Sequence, residues 1–239
     1  DSSITVNVVA NDTAPDTSDV LSVTAADITN GAAGSVSFSG GNVSYDPGTA
    51  YNYLAVGESA TVEIGYSISD GNGGSSSSTL TITVTGTNDG PTAVADTATT
   101  DEDSSIMVNV VANDTDPDTS DVLSVTAADI TNGAAGSISF SGGNVSYDPG
   151  TAYNYLAVGE SATVEISYSI SDGNGGTSDS TLTITVTGTN DGPTAVADSA
   201  TTDEDSSITV HVVGNDTDPD TSDTLNVASA DISNGAGGS

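Results

Sequence analysis

The sequence predicts an all-β protein made of tandem β-sandwich modules. The 239 residues repeat with a period of 102, so that residues 1–90 align with 103–192 without a gap and differ at six places. In several short segments of each repeat apolar and polar residues alternate, and clusters of Gly, Asn, Asp and Pro separate these segments. No segment combines helical periodicity with a capping residue.

The period also predicts the domain organisation. One complete repeat runs from Pro91 to Gly192. Residues 1–90 form a repeat that lacks its first strand, and residues 193–239 form the first half of a third repeat. Arrays of near-identical modules build length, whereas an active site is rarely copied in this way. We therefore expect a structural protein and no enzymatic activity.

The complete repeat contains seven predicted strands. In chain order they lie near 92–99, 106–110, 122–127, 138–140, 145–147, 162–171 and 182–186. The alternating apolar residues that place five of them are Ile106, Val108 and Val110; Ile138 and Phe140; Val145 and Tyr147; Val164, Ile166, Tyr168 and Ile170; and Leu182, Ile184 and Val186. Seven short strands in about 100 residues, without a helix, are typical of a Greek-key β-sandwich of immunoglobulin or cadherin type.

Two tyrosines, Tyr153 and Tyr155, precede the long sixth strand. In one interpretation a tyrosine here forms a tyrosine corner, in which the hydroxyl group hydrogen-bonds to the backbone. In the other, both rings pack over the edge of the core. The sequence favours neither interpretation.

Composition excludes several partners. There is no Lys or Arg against 34 acidic residues, and the formal net charge is −34. Nucleic acid and anionic membrane surfaces would be repelled, so we expect neither as a partner. No segment has the roughly 20 apolar residues of a membrane helix, so we expect no membrane insertion. Because acidic groups crowded on a compact module repel each other, the countercharge must come from cations in solution.

The acidic loop Asn113–Asp121 is the strongest chemical signal. Its carboxylates alternate along the chain beside Pro117, which lets several oxygens converge on one point. Ca²⁺ takes 6–8 oxygen ligands, so this pattern predicts calcium binding. The spacing is not that of an EF-hand, because Thr119 occupies the position of the invariant glycine. The alternative is that Asn, Asp and Pro merely form turns, but the absence of basic residues favours calcium.

Topology predicts where the acidic residues meet. In a seven-stranded Greek key, the loop after the second strand and the loop before the seventh lie at the end where the chain enters. Each junction should therefore collect acidic groups from the base of one repeat, the linker and the top of the next. The candidate calcium ligands are Asp101, Glu102, Asp103 and Glu160 at the base; Asn88, Asp89, Asn190 and Asp191 in the linkers; and Asn113, Asp114, Asp116, Asp118, Asp121, Asp172, Asn174, Asp179, Asp216, Asp218, Asp220 and Asp223 at the top.

The first repeat departs from this pattern at two positions. Ala14 stands where the middle repeat has Asp116, and Ser77 stands where it has Asp179. We therefore expect weaker calcium binding at that end of the first repeat.

Four ordered motifs resemble the bacterial cadherin-like tandem repeats, including the VCBS type, of large RTX-adhesin-like surface proteins. The motifs are Asp-Glu-Asp-Ser-Ser-Ile, Val-x-Asn-Asp-Thr-Asp-Pro-Asp, Ser-Asp-Gly-Asn-Gly-Gly and Val-Thr-Gly-Thr-Asn-Asp-Gly-Pro. The resemblance covers the whole chain. It implies extracellular β-sandwiches at a bacterial cell surface, in secreted surface or biofilm adhesins, with calcium at the junctions.

Two functional hypotheses follow. In the first, the repeats are a calcium-rigidified stalk or spacer of an adhesin or surface fibre that mediates cell adhesion or biofilm formation. Its partners are calcium and the neighbouring repeats of the same chain. In the second, the repeats themselves self-associate with other copies into filaments, or they bind cell-surface glycans.

Overall fold

Thirteen β-strands form in residues 2–232, the part of the chain described by the computed structural model. This confirms the predicted all-β class. The strands of the first repeat are β1 (Ile4–Asn7), β2 (Ser22–Asn30), β3 (Ser35–Ser39), β4 (Asn42–Asp46), β5 (Ser59–Ser69) and β6 (Ser75–Thr85). Those of the middle repeat are β7 (Asp96–Asp101), β8 (Ile106–Asn109), β9 (Ser124–Asn132), β10 (Ser137–Ser141), β11 (Asn144–Asp148), β12 (Ser161–Ser171) and β13 (Thr177–Thr187).

The middle repeat has the predicted seven strands, and three of them, β7, β9 and β13, differ from the predicted bounds by four or more residues. β7 begins at Asp96 because Thr92 pairs with the acidic loop instead of the sheet: the Thr92 N–H donates to the Thr115 carbonyl at 2.7 Å, and the Thr115 N–H donates back at 3.1 Å. β9 continues to Asn132, five residues beyond the predicted end, and β13 begins at Thr177, five residues before the predicted start.

Two sheets form each sandwich. In the middle repeat the strand orders are β7-β13-β12-β9 and β8-β11-β10. β7 is parallel to β13, with Asp96 opposite Leu182 and Asp101 opposite Thr187. The first repeat has the orders β2-β5-β6 and β1-β4-β3, so β6 is an edge strand there.

The core follows from the alternation in the sequence. Along β5 and β12 every second side chain is buried, as the period of a half-buried strand requires. In the first repeat Ile64 and Tyr66 of β5 face Val43 and Tyr45 of β4 in one buried cluster.

The hydroxyl group of Tyr153 hydrogen-bonds to the backbone. It accepts the Ala134 N–H at 2.8 Å, and the ring is buried. Tyr51 does the same for Ala32 at 2.9 Å. Tyr155 is 42 % exposed, so the corner interpretation applies to Tyr153 and the edge-packing interpretation to Tyr155.

The chain divides into two compact units. The first contains Asp1–Ala93 with Asp114–Ser124 and Ile170–Ser178, and the second contains Val94–Asn113, Val125–Ser169 and Asp179–Ser239. The acidic loop of the middle repeat thus belongs to the same unit as the first linker. The repeat boundaries after Gly90 and Gly192 remain predictions.

Residues 193–232 form no strand. Thr194 makes an isolated antiparallel bridge with Thr217, the counterpart of the bridge between Thr92 and Thr115. A strand needs a neighbour to take up its backbone hydrogen bonds, and no later strand follows in this segment. The third repeat therefore remains a prediction. None of the described residues belongs to a helix long and apolar enough to cross a membrane.

Candidate metal centres

Glu102 lies at the end of β7 with its carboxylate inside the protein. Its own N–H donates to the Thr187 carbonyl at 3.0 Å, which continues the pairing of β7 with β13. The side chain is 0 % exposed. Its Oε1 accepts the backbone N–H of Thr189 at 2.7 Å, while Oε2 has no hydrogen-bond partner among the described residues.

Two further carboxylates complete a group that we call the Glu102 cluster, namely Glu102, Asp191 and Asp220. Each offers a carboxylate oxygen within 4.8 Å of the others. The Asp191 N–H donates to Asp220 Oδ2 at 3.0 Å, and Asp220 is 1 % exposed. Asp191 Oδ2 and Asp220 Oδ1 have no partner in residues 2–232. Each of the three carboxylates therefore has one buried oxygen without a donor among the described residues.

A second group, the Asp116 cluster, consists of Asp116, Asp118 and Asp121, again within 4.8 Å of one another. Asp118 is 1 % exposed, and its Oδ2 accepts the N–H of Asp89 in the linker at 2.9 Å. Asp116 Oδ1 accepts the Asp118 N–H, also at 2.9 Å. Asp116 Oδ2, Asp118 Oδ1 and the amide oxygen of Asn88 are buried, and the described part of the chain supplies no donor to them.

Asp172 differs from these groups because its oxygens are satisfied. Asn88 Nδ2 donates to its Oδ2 at 2.9 Å, and the N–H groups of Asn174 and Gly176 donate to its Oδ1. Desolvation acts to raise the pKa of Asp172, but these donors outweigh it and hold the pKa below its usual range. Asp172 therefore fastens the linker to the turn before β13.

Burial and neighbouring charges raise the pKa of one carboxylate in each cluster. Desolvation raises the pKa of Asp116, and the charges of Asp118 and Asp121 add to the shift. Desolvation also raises the pKa of Asp191, helped by the charges of Asp103 and Asp220. Buried carboxylates need a paired charge or a metal, and the sequence contains no Lys or Arg. The carboxylate-rich donor set and the unpartnered oxygens fit a hard cation such as Ca²⁺.

Five further predicted ligands lie outside the two clusters. Asp101 Oδ1 is buried and has no partner in the described residues, and Asp103 Oδ2 lies 2.9 Å from the Thr189 hydroxyl. Asp218 Oδ1 accepts the Asp220 N–H at 3.0 Å, and Asp216 Oδ1 accepts the Val196 N–H at 2.7 Å. Asp114 is half-buried.

Six further predicted ligands make other contacts. The exposed Glu160 accepts the Ala157 N–H at 3.0 Å and so braces its own loop. Asp179 bonds to Ser169 of β12 at 2.5 Å. The others are Asn113, which donates to the Ala95 carbonyl; Asn174, which donates to Asp121; and Asn190, which donates to the Asp191 carbonyl. Asp223 is exposed, and its backbone N–H donates to the Asp220 carbonyl.

The sequence did not predict a role for three threonines at the junctions. Thr189 contacts Glu102 through both its N–H and its hydroxyl. Thr119 donates to the Tyr53 carbonyl at 3.4 Å, and Thr221 donates to the Tyr155 carbonyl at 3.2 Å. Their recurrence at the period of 102 was the available signal, since a threonine by itself does not indicate a junction.

Two family models match the chain. The model of the bacterial cadherin-like domain matches residues 88–188, and that of the bacterial Ig domain matches residues 1–83 and 190–239, more than half of the chain. The chain belongs to the bacterial Ig domain family. The predicted resemblance to bacterial cadherin-like repeats is confirmed.

Bacterial Ig and cadherin-like domains are typically extracellular modules with structural or adhesive roles, and cadherin-like domains generally bind Ca²⁺. The chain is therefore an adhesion-type repeat array. None of the curated proteins matches it.

Solved structures similar to the chain include protocadherin fragments. Human mucin-like protocadherin EC1-2 is 17 % identical, with a TM-score of 0.42 over 68 % of this chain and 84 % of that one. Mouse clustered PcdhgC3 EC1-3 is 14 % identical, with a TM-score of 0.39 over 70 % of this chain and 56 % of that one. The chain thus spans little more than half the length of the mouse fragment.

Proposed function

We propose that these repeats are calcium-rigidified spacers of a large bacterial extracellular adhesin or surface fibre that mediates adhesion or biofilm formation. Calcium bound at each linker would fix the angle between consecutive repeats. The fibre would then hold a distant binding region away from the cell. Near-identical repeats suit this role, because each added copy increases the length by one module.

One observation carries the proposal, namely the buried carboxylate oxygens without donors. In the Glu102 cluster they come from the end of β7, from the linker and from the next acidic loop. An uncompensated buried charge is strongly unfavourable. A cation at this point would neutralise the three groups together and thereby join three segments of the chain.

The chain's own residues prepare the site. Thr189 holds Glu102 Oε1, and the Asp191 N–H holds Asp220 Oδ2, so one oxygen of each carboxylate is fixed while the other remains available. Asp89 holds Asp118 in the same way. The residues that would bind calcium are therefore Glu102, Asp191 and Asp220 at one linker, and Asn88, Asp116 and Asp118 at the other.

Calcium suits this set better than magnesium. Ca²⁺ tolerates irregular geometry with 6–8 oxygen ligands, whereas Mg²⁺ requires a near-ideal octahedron and gives up its water reluctantly. Carboxylates from three separate segments provide the flexible, oxygen-rich cage that calcium prefers.

Small-angle X-ray scattering of the 239-residue chain tests the proposal, in calcium, in magnesium and in excess chelator at constant ionic strength. We expect calcium to narrow the distribution of conformations and to lengthen the maximum dimension, and magnesium to have little effect. The Glu102→Gln variant should lose part of the response, while the Glu63→Gln variant, whose substitution lies in β5 outside both clusters, should keep it. Identical profiles in calcium and chelator would contradict the proposal.

A further inference from the structure

The outer edge of β10 lies open in the complete middle repeat. β10 ends its sheet, and within residues 2–232 it pairs with β11 alone. Ser141 lies opposite Asn144 across a two-residue loop, so the backbone groups of Ser141 bond to β11. Bonding alternates along an antiparallel strand, so the N–H and C=O groups of Ile138 and Phe140 point away from β11, toward the outer edge.

β10 lacks the features that usually protect an edge strand. Charged side chains, proline and bulges keep foreign strands away from a sheet edge. The edge strands of the opposite sheet, β7 and β9, both contain aspartate. β10 reads Ser-Ile-Ser-Phe-Ser and pairs with β11 without a register shift. Its outer edge is therefore suited to accept another strand.

Both phenylalanines of the chain lie on edges of this type. The sequence contains two, Phe38 in β3 and Phe140 in β10, and they are 44 % and 43 % exposed. β3 reads Ser-Val-Ser-Phe-Ser and, like β10, ends its sheet. A strand laid along such an edge would remove apolar surface of the phenylalanine from water, which favours association.

The charge distribution indicates which partner fits. The formal charge of −34 makes two copies repel each other where their acidic groups approach. Residues 130–147, which contain β10 and β11, have no charged side chain, so this repulsion is weakest there. A cationic partner would be attracted to the acidic loops instead. The β10 edge therefore suits an uncharged strand, and β10 of a second copy is such a strand.

We propose that the β10 edges of two copies pair in antiparallel fashion about a twofold axis at Ser139. Ile138 of one copy then lies opposite Phe140 of the second copy, and their outward N–H and C=O groups bond to each other. Main-chain hydrogen bonds of this kind supply the affinity of strand addition. Pairs of an aromatic and a β-branched residue stabilise neighbouring strands. The twofold axis lets each copy use the same surface.

The pairing would add lateral association to the spacer role. Each repeat with this sequence offers one such edge, so chains with more repeats would gain avidity without a new contact. The inference does not rest on the proposed calcium role, because neither metal cluster contributes a residue to the edge. The test is therefore made with chelator present, where a calcium-dependent effect cannot contribute.

Single-cysteine variants test the register, because the chain contains no cysteine. Ser139→Cys places the thiols of two copies opposite each other, with Cα atoms about 4.5 Å apart, which is within reach of a disulfide. Ser137→Cys is the matched control on the same exposed face of β10. Its two thiols would lie about 13 Å apart along the strand direction, beyond that reach.

High salt gives the conditions of the test, since roughly 1 M salt shortens the Debye length to about 3 Å and removes most of the repulsion. We expect Ser139→Cys to form a disulfide dimer at least about tenfold faster than Ser137→Cys, because only its thiols are within reach. A mixture of Ser137→Cys and Ser141→Cys should give the mixed dimer, since these positions lie opposite each other in the proposed register.

A charge placed on the edge should prevent the association. Phe140→Glu puts a carboxylate where the second strand would dock and should weaken the dimer at least about tenfold, because a charge buried without a partner is unfavourable. Val158→Glu makes the same kind of change at a loop position that is 73 % exposed and should keep the dimer. Sedimentation equilibrium measures both, and circular dichroism checks their fold. The cysteine series does not depend on these variants.

Three results would overturn the proposal. The first is disulfide formation in Ser139→Cys that is no faster than in Ser137→Cys. The second is equal dimerisation of Phe140→Glu and the unchanged chain. The third is an unchanged chain that stays monomeric in high salt at every concentration, which would reserve the β10 edge for a strand of a different protein.

Discussion

The backbone N–H of Asp191 donates to the buried Oδ2 of Asp220 at 3.0 Å, and the N–H of Asp89 donates to Asp118 in the same way at 2.9 Å. Each aspartate keeps its other oxygen without a partner in the described residues. A linker amide thus orients one carboxylate oxygen and leaves the second available to a cation. This arrangement is present at both linkers. It leads to two predictions about calcium binding, and the buried tyrosines of the core lead to two more.

The Asp220→Asn substitution should weaken calcium binding. Asp220→Asn preserves the shape of the side chain and removes a charge from the Glu102 cluster, so we expect at least about a tenfold loss of affinity, on the scale that even outer-shell substitutions produce. Asp129→Asn is the matched control, because it makes the same chemical change at an exposed position of β9 outside both clusters. Isothermal titration calorimetry measures both, and equal losses in the two variants would contradict the ligand assignment.

One substitution in each acidic loop should shift the calcium affinity of that loop toward that of the other repeat. Asp116→Ala removes a member of the Asp116 cluster and should lower calcium affinity, whereas Ala14→Asp restores the alternating carboxylates beside Asp12 and Asp16 and should raise it. Ala14→Asn is the control, since it adds a similar volume without a charge. An unchanged calcium titration of the Ala14→Asp variant would count against this loop as a ligand.

The sequence was sufficient to predict the seven strands of the middle repeat, because alternation places five of them and turn residues separate them all. It also placed Glu102, Asp191 and Asp220 at one junction, since Greek-key connectivity determines which loops share an end. The start of β7 was predicted four residues too early. Thr92 there has the strand-forming residue type, but its backbone groups pair with Thr115, and residue type does not reveal a partner.

The division of roles among the acidic residues could not be read from the sequence. Asp172 and Asp118 are both aspartates in loops that follow strands, so residue type and position do not distinguish them. Asp172 is satisfied by Asn88 and by backbone donors, whereas Asp118 retains an unpartnered oxygen. Glu160 likewise turns back to the Ala157 N–H. Such differences depend on backbone direction within a turn, which the spacing of carboxylates does not specify.

Loss of the hydroxyl should change the free energy of unfolding at one buried tyrosine of the middle repeat and leave it nearly unchanged at another. Tyr153→Phe leaves the Ala134 N–H without its acceptor, which should lower the free energy of unfolding by about 1–2 kcal/mol. Tyr147→Phe removes a buried hydroxyl that interacts with Tyr153 and leaves no backbone group without its acceptor, so the free energy should stay within about 0.5 kcal/mol. Urea denaturation in constant calcium measures both, and similar losses would contradict the assigned hydrogen bond.

Alkaline pH should unfold the protein through Tyr45 and Tyr147. Burial, with the neighbouring Tyr51 adding to it, raises the pKa of Tyr45 from 10.0 to about 12, and burial raises that of Tyr147 further. Because the folded pKa lies above the unfolded one, the stabilisation is complete below pH 10 and is lost as the pH rises toward 12. Circular dichroism should follow the unfolding while absorbance reports tyrosinate. The Tyr45→Phe/Tyr147→Phe variant should keep more of its stability above pH 10, and ionisation of both groups near their ordinary pKa, without unfolding, would contradict their burial.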